Sequence, residues 1–234
     1  MLSYEGRTRA RFQSEVPGVI TSQRKYELDE LIKVYKANRP KYVVEIGTQD
    51  GGTLYQWIKH AIPGAVVVNI DILENQQDPR AVVERWHSWR REDIELYSYI
   101  GKSQEEGAIE FVKKHMPEIN FLFIDGDHRY KGVKEDFLNY GPMVNGVIAF
   151  HDLMTPKSGL QDHITVGKLW REIQHAGHPT REIWCDPDPD WGGIGVVYCV
   201  QSQEEESIKQ QRTDETVRIA GQSGRMSTLR LGNN

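Results

Sequence analysis

Ionisable side chains cluster after two short apolar runs in the second half of the chain. The segment FIDGDHRY carries Asp125, Asp127 and His128, and the segment AFHDL carries His151 and Asp152. Taken alone, each is equally well explained as a solvated acid or as a hydrogen-bonded structural histidine. Together, Asp and His side chains that converge on one crevice can exchange protons near neutral pH or bind a divalent metal ion.

A glycine-rich segment, EIGTQDGGT, follows the apolar run KYVVEI. A dinucleotide-binding loop would have the pattern GxGxxG and would receive a pyrophosphate. Here Gln49 stands two positions after Gly47, where that pattern needs a glycine, and the acid Glu45 would repel a pyrophosphate. These features favour a cationic cofactor with an amino group and a sulfonium, although a ligand-free glycine turn would have the same residues.

A further acid, Asp71, directly follows the apolar run AVVVNI. A carboxylate at the end of a strand, one strand and one helix after a glycine loop, can accept hydrogen bonds from the hydroxyls of an adenosine ribose. Acids also end many strands at solvent, so Asp71 alone would be a weak indication. Combined with Glu45 and Gly47, it predicts a site for an adenosine-containing ligand.

These residues need strands to carry them, and the chain has short β-rich runs with helical stretches between them. Most of the runs are almost continuously apolar, as expected for a parallel sheet that is covered on both faces. The alternation predicts a doubly wound, mostly parallel α/β fold, whose ligand crevice lies at the carboxyl ends of the strands. The five runs are Lys41 to Ile46, Ala65 to Ile70, Glu95 to Ile100, Asn120 to Ile124 and Gly146 to Phe150.

Further elements are predicted on either side of these runs. A helix is expected over residues 22–38, with Ser22 as its N-cap. Near the other end, REIWC and IGVVYCV predict an antiparallel hairpin, which gives a seven-stranded sheet in one domain over residues 1–200. Cys185 and Cys199 are expected to face each other there, as free thiols rather than as a disulfide bridge. Residues 201–234 are polar and lack aromatic side chains, which predicts a flexible tail.

The composition excludes some classes of partner. The formal net charge of -5 provides no basic field for a nucleic acid, so we expect a small-molecule substrate. No apolar run approaches the roughly 20 residues of a membrane-spanning helix, and the N-terminus lacks the apolar core of a secretory signal. We therefore expect a cytoplasmic protein that does not bind a membrane, and a homo-oligomer stays open.

Several of these motifs together resemble one family. The run from VITSQRKYELDELIKVY through EIGTQDGGT, VNIDI, FIDGDHRYKGVKEDF and GVIAFHDL resembles the class I S-adenosylmethionine-dependent methyltransferases. The closest likeness is to the cephalosporin-hydroxylase-like and macrolide-sugar O-methyltransferase group. The cation-dependent catechol and caffeoyl-CoA O-methyltransferases are similar more distantly. The likeness extends from about Pro17 to Val200, and it implies a Rossmann-like methyltransferase fold.

The resemblance also implies roles for individual residues. Divalent metal ligands are implied at Asp125, His151 and Asp152, and a catalytic base at His128, where the cation-dependent enzymes have a lysine. Members commonly have Asp-Asn, Asp-Asp or Glu-Asp at the place of His151 and Asp152. Imidazole suits Mn²⁺, Fe²⁺ or Zn²⁺ better than Mg²⁺, so the identity of the metal and the need for one stay open. The implied S-adenosylmethionine-binding residues are Thr21, Glu45, Gly47, Thr53, Asp71, Ser103 and Asp125.

Three hypotheses of function follow. The leading one is an O-methyltransferase that acts on a hydroxylated small molecule or a sugar, with His128 or His151 taking the proton and a divalent metal assisting. His128 is the favoured base, although it can equally be a structural partner of its loop. A nucleotide-cofactor oxidoreductase is disfavoured by the missing GxGxxG. A non-catalytic methyltransferase-like module is disfavoured by the converging acids and histidines.

Overall fold

The structure is a computed structural model that describes residues 11–13, 15–74, 76–154, 163–185 and 191–199. Its strands are β1 Arg11–Gln13, β2 Ile20–Arg24, β3 Tyr42–Ile46, β4 Val66–Asp71, β5 Glu95–Ile100, β6 Ile119–Ile124, β7 Val144–Phe150, β8 Thr180–Ile183 and β9 Ile194–Tyr198. Its helices are α1 Lys25–Asn38, α2 Gly52–His60, α3 Pro79–Ser88, α4 Glu106–His115, α5 Tyr130–Tyr140 and α6 Val166–His175. The predicted tail lies outside the described residues.

Seven strands form one sheet in the order β5-β4-β3-β6-β7-β9-β8. Strands β3 to β7 pair in parallel, and β9 and β8 add an antiparallel hairpin beside β7. The predicted doubly wound sheet with a C-terminal hairpin is therefore confirmed. The chain runs outward from β3 to β5 and returns through β6 on the other side of β3. The boundary between β3 and β6 is thus the topological switch point, where such folds bind their ligands.

Apolar residues cover both faces of the central strands, which explains their unbroken hydrophobic runs. On one face, Tyr35 of α1 and Trp57 of α2 pack against Phe121 of β6, with ring centroids 5.0 and 5.1 Å from that of Phe121. The hydroxyl of Tyr35 donates to the carbonyl oxygen of Trp57 at 3.0 Å. These contacts fix α1 and α2 beside the switch point.

The N-terminal segment differs from its prediction. Helix α1 begins at Lys25, and the residues before it form β2, which pairs with β1 in an antiparallel sheet of two strands. Ser22 is therefore not an N-cap, and its hydroxyl donates to the side chain of Gln49 at 2.7 Å. The helical period of Leu28, Leu31 and Tyr35 places the body of the helix correctly but does not define its first turn.

The two cysteines also lie differently from the prediction. The hairpin pairs Ile183 with Ile194 and Thr180 with Val197, so Cys185 follows one end of it and Cys199 the other. Both are free thiols, and they cannot face each other because the strands run in opposite directions. Within the described residues, no helix is long and apolar enough to cross a membrane.

Candidate active site

A cavity of about 1080 Å³ opens at the carboxyl ends of the parallel strands. Its volume is in the range of pockets that hold a cofactor or a drug-sized ligand. All of the site residues predicted from the sequence line it except Glu45. They are Thr21, Gly47, Thr53, Asp71, Ser103, Asp125, His128, His151 and Asp152.

The wall of the cavity at the switch point requires a glycine. Gly47 follows β3 with a φ of +87°, and its amide donates to the carbonyl oxygen of Ile70 at 2.9 Å. A Cβ atom at this position would lie 2.1 Å from the carbonyl oxygen of Asp125. Because two backbone segments touch here, the ends of β3 and β6 can sit side by side beneath a ligand.

Glu45 is not part of the cavity wall. It is fully buried within β3, and its Oε1 accepts a hydrogen bond from the indole Nε1 of Trp57 at 2.9 Å. Burial raises the pKa of Glu45 to about 8, more than its hydrogen bonds lower it. Glu45 thus lies behind the cavity wall, and its implied contact with the methionine part of a cofactor stays a prediction.

Asp71 braces the glycine turn. Its Oδ2 accepts from the backbone amides of Thr48 and Gln49, both at 2.7 Å, and its Oδ1 accepts from the amide of Leu73 at 2.6 Å. A carboxylate has about four acceptor positions, so one remains for a ligand hydroxyl. The carboxylate is thus held rigidly at the cavity edge where the sequence predicted it.

Ser103 lies at a second edge of the cavity and is held by a buried acid. Its hydroxyl donates to Oδ1 of Asp136 at 2.7 Å, and the same oxygen accepts from the side-chain amide of Gln104 at 2.7 Å. The hydroxyl of Tyr140 donates to the carbonyl oxygen of Ser103 at 2.7 Å. Burial raises the pKa of Asp136 to about 7. Sequence reasoning did not identify Gln104 or Asp136, although Gln104 follows Ser103 directly and Asp136 lies near the end of the segment FIDGDHRYKGVKEDF.

The acids and histidines that follow β6 and β7 form one connected cluster. Nδ1 of His151 lies 3.0 Å from Oδ1 of Asp125 and 3.6 Å from Oδ1 of Asp152. Nδ1 of His128 lies 3.2 Å from Oδ2 of Asp152. Burial of His151 opposes its protonation, but the charges of Asp152 and Asp125 outweigh it and raise the pKa of His151 to about 10. Asp152 has a φ of +57°, which is uncommon for a residue other than glycine and is found at strained functional sites.

The sequence reasoning missed a further partner of the cluster and a buried acid whose charge acts on His151. The side-chain amide of Gln23, a buried residue of β2, donates to Oδ2 of Asp125. Glu27 of α1 is also buried and accepts from the backbone amides of Cys185 at 3.0 Å and Gly193 at 3.2 Å. Had residues 20–24 been recognised as a strand, the two-residue period would have placed Gln23 on the same face as Thr21.

An aromatic side chain completes this end of the cavity. Trp191 lines the cavity beside the N-terminal strand, and the guanidinium of the buried Arg24 lies 4.4 Å from the centroid of its ring. A cation at this distance from an indole is attracted to the face of the ring. Arg24 therefore helps to fix this aromatic part of the cavity wall.

The predicted metal ligands come together but do not form a ligand set. Asp125, His151 and Asp152 are adjacent, yet Nδ1 of His151 lies against an oxygen of each carboxylate, at 3.0 Å and 3.6 Å. Within the described part of the chain, no group of three or more His, Cys, Asp or Glu side chains is arranged to hold a metal ion. The donor atoms as they are disposed do not fit a divalent metal.

The comparisons with known proteins agree with this fold. The sequence model of a family described as a methyltransferase domain matches residues 44–153. The uncharacterized protein R132 of Acanthamoeba polyphaga mimivirus is 30% identical over 171 residues, which are 69% of this chain and 74% of that protein.

Solved structures are also similar at lower sequence identity. An O-methyltransferase from Bacillus cereus, in complex with SAH, has a TM-score of 0.56 and 16% identity, covering 78% of this chain and 84% of its own. The O-methyltransferase TomG from Streptomyces achromogenes, in complex with SAM, has a TM-score of 0.58 and 13% identity, covering 80% and 84%. The fold is thus that of the class I methyltransferases, and the chain belongs to the methyltransferase domain family. The resemblance to S-adenosylmethionine-dependent enzymes of this class is confirmed.

Proposed function

We propose that this methyltransferase transfers the methyl group of S-adenosylmethionine to a hydroxyl oxygen of a small molecule, with His128 as general base. The observation that carries the proposal is the pair of His128 and Asp152 at the cavity surface. The imidazole of His128 is 30% exposed, and its Nδ1 lies 3.2 Å from the carboxylate of Asp152. A neutral imidazole with its Nδ1 proton directed at a carboxylate keeps Nε2 free to accept a proton.

The cavity offers suitable partners for the cofactor. Gly47 brings backbone to the surface, and Asp71 and Ser103 supply fixed polar atoms at two edges of the same cavity. The hydroxyl oxygen of Thr21 is buried and has no hydrogen-bond partner among the described residues. Buried polar atoms are rarely left unpaired, so an unpaired hydroxyl in a cavity wall is best explained by a ligand that pairs with it.

The chain's own residues can then perform the proton transfer. When bound, S-adenosylmethionine supplies an electrophilic methyl group on a sulfonium. Nε2 of His128 accepts the proton of the acceptor hydroxyl while the oxygen–carbon bond forms and the carbon–sulfur bond breaks. Asp152 holds the imidazole in the required tautomer and stabilises its positive charge after the transfer. Trp191 lies in the wall of the same cavity.

A small-molecule acceptor is supported by the size of the cavity and the acidic net charge. The cytoplasmic location and the absence of a nucleic-acid partner stay predictions from the sequence.

The proposal can be tested by product detection. The protein is incubated with S-adenosylmethionine and a panel of hydroxylated small molecules, including sugars and catechols, and S-adenosylhomocysteine is measured by mass spectrometry. We expect release that depends on one class of acceptor and that is lost in His128→Gln, which retains a hydrogen bond to Asp152 but is not a base. Turnover of a found acceptor at the wild-type rate by His128→Gln would contradict the assignment of the base.

A further inference from the structure

The two carboxylates that follow β6 and β7 have nitrogen groups at every oxygen. Oδ1 of Asp125 faces Nδ1 of His151 at 3.0 Å, and Oδ2 of Asp125 accepts from the amide of Gln23. Oδ2 of Asp152 lies 3.2 Å from Nδ1 of His128. Its other oxygen, Oδ1, lies 3.6 Å from Nδ1 of His151, which is beyond a hydrogen bond but within the range of an ion pair.

The imidazole of His151 fills the space between these carboxylates. Its side chain is 3% exposed, and the side chains of Asp125 and Asp152 are 9% and 12% exposed. Little water therefore reaches the group, so its carboxylates need partners from the protein itself. A single nitrogen of the ring, Nδ1, is a partner for both acids. It occupies the position between the two carboxylates that a shared ion would need.

A divalent cation has different requirements from those that this arrangement meets. Mg²⁺ needs near-octahedral oxygen ligands with free lone pairs, and it usually keeps several waters. To bind here, it would have to displace the nitrogen groups from the oxygens and admit water to a buried site. The second nitrogen of His151, Nε2, is buried and unpaired among the described residues, but no set of further donors accompanies it.

We propose that the imidazole of His151 takes the place of a divalent metal between Asp125 and Asp152, so that the enzyme works without a metal ion. This inference rests on the proposed function, because it assigns to His151 the task of keeping Asp152 in position for His128. His151 is accordingly a positioning residue rather than the base. The side chain of His151 in the cavity wall is 3% exposed, whereas that of His128 is 30% exposed.

The proposal predicts that replacing the imidazole with an oxygen donor creates a metal site. In His151→Asp, three carboxylates would meet where two carboxylates now share one ring, a donor set that suits Mn²⁺ and Mg²⁺. We expect this variant to bind Mn²⁺ at least about tenfold more tightly than the wild type, the scale on which the immediate environment of a metal changes its affinity. The double variant Asp125→Asn/His151→Asp should lose that gain.

Mn²⁺ binding is measured on the full chain by electron paramagnetic resonance, which reports free Mn²⁺ and needs no substrate. Up to millimolar Mn²⁺, the wild type should show no saturable binding site that is lost in the Asp125→Asn variant. Melting curves establish that each variant folds. If His151→Asp does not fold, His151→Asn replaces it, because asparagine also offers an oxygen donor without adding charge.

Two results would overturn the proposal. One is a stoichiometric Mn²⁺ site in the wild type that Asp125→Asn abolishes. The other is a folded oxygen-donor variant that binds Mn²⁺ no more tightly than the wild type does. The Mn²⁺ titration needs neither cofactor nor acceptor. A failure of the proposed methyl transfer would therefore appear in the activity assay and would not change the result of the titration.

Discussion

Replacing Gly47 by alanine perturbs the wall of the site at its most crowded point. The added Cβ would lie 2.1 Å from the carbonyl oxygen of Asp125 and 2.7 Å from the amide nitrogen of Gly126. Both are backbone atoms that cannot rotate away, so β3 and β6 must separate at their ends. The left-handed φ of +87° costs about 1–2 kcal/mol for alanine, and forcing a methyl group into packed surroundings costs about 1–3 kcal/mol more.

Gly177 provides a matched control for the conformational part of this cost. Its φ is +84°, and a Cβ there would meet no atom within 4 Å. Gly177→Ala should therefore incur only the conformational cost. Gly47→Ala should be less stable than Gly177→Ala by about 1–3 kcal/mol. Urea denaturation of both variants gives this difference, and calorimetry with S-adenosylhomocysteine should show weakened binding for Gly47→Ala alone. Equal stability of the two variants, with unchanged affinity, would refute the close approach of Gly47 and Asp125.

Other predictions concern the acids and the base. Asp71→Ala should weaken the binding of S-adenosylhomocysteine by about 1.5–3 kcal/mol in calorimetry, because a charged acceptor is lost; unchanged affinity would remove Asp71 from the site. With a found acceptor, His128→Gln should lower kcat by about 100- to 10,000-fold and leave cofactor affinity unchanged. Glu45 keeps its proton to about pH 8 when folded but loses it near pH 4.5 when unfolded, so rising pH across this window destabilises the wild type. The melting temperature of Glu45→Gln, taken relative to that of the wild type, should therefore rise from pH 5 to pH 8. A difference that stays constant over this range would contradict the raised pKa.

The parallel core could be predicted from the sequence because its physical cause is local. Strands covered on both faces must be apolar throughout, and runs such as Ala65 to Ile70 show this directly. The rule that ligands bind at the carboxyl ends of such strands then placed Asp71, Asp125 and Asp152 on one cavity. The N-terminal strand β2 was missed because ITSQR has neither an apolar run nor a clear alternation, and its pairing with β1 is not local.

The partners of the site residues could not be predicted in the same way. Glu45 stands next to the glycine turn, but the two-residue period places it on the face of Val43, beneath α2, where Trp57 receives its carboxylate. The side chains of Asp125 and His151 were expected to converge, and they do. The partner of the other Asp125 oxygen, Gln23, comes from a distant segment, and His151 and Asp125 are both buried. Distances and burial of this kind are properties of the packed structure.

The central claim, that the cavity holds S-adenosylmethionine for a methyl transfer, is tested most directly by titration calorimetry of the full chain. S-adenosylhomocysteine, S-adenosylmethionine and NAD are titrated in turn under the same conditions, without added metal. We predict one molecule of either adenosyl compound bound per chain, with binding weakened by Asp71→Ala, and no binding of NAD. Binding of NAD, with no heat from either adenosyl compound, would contradict the account.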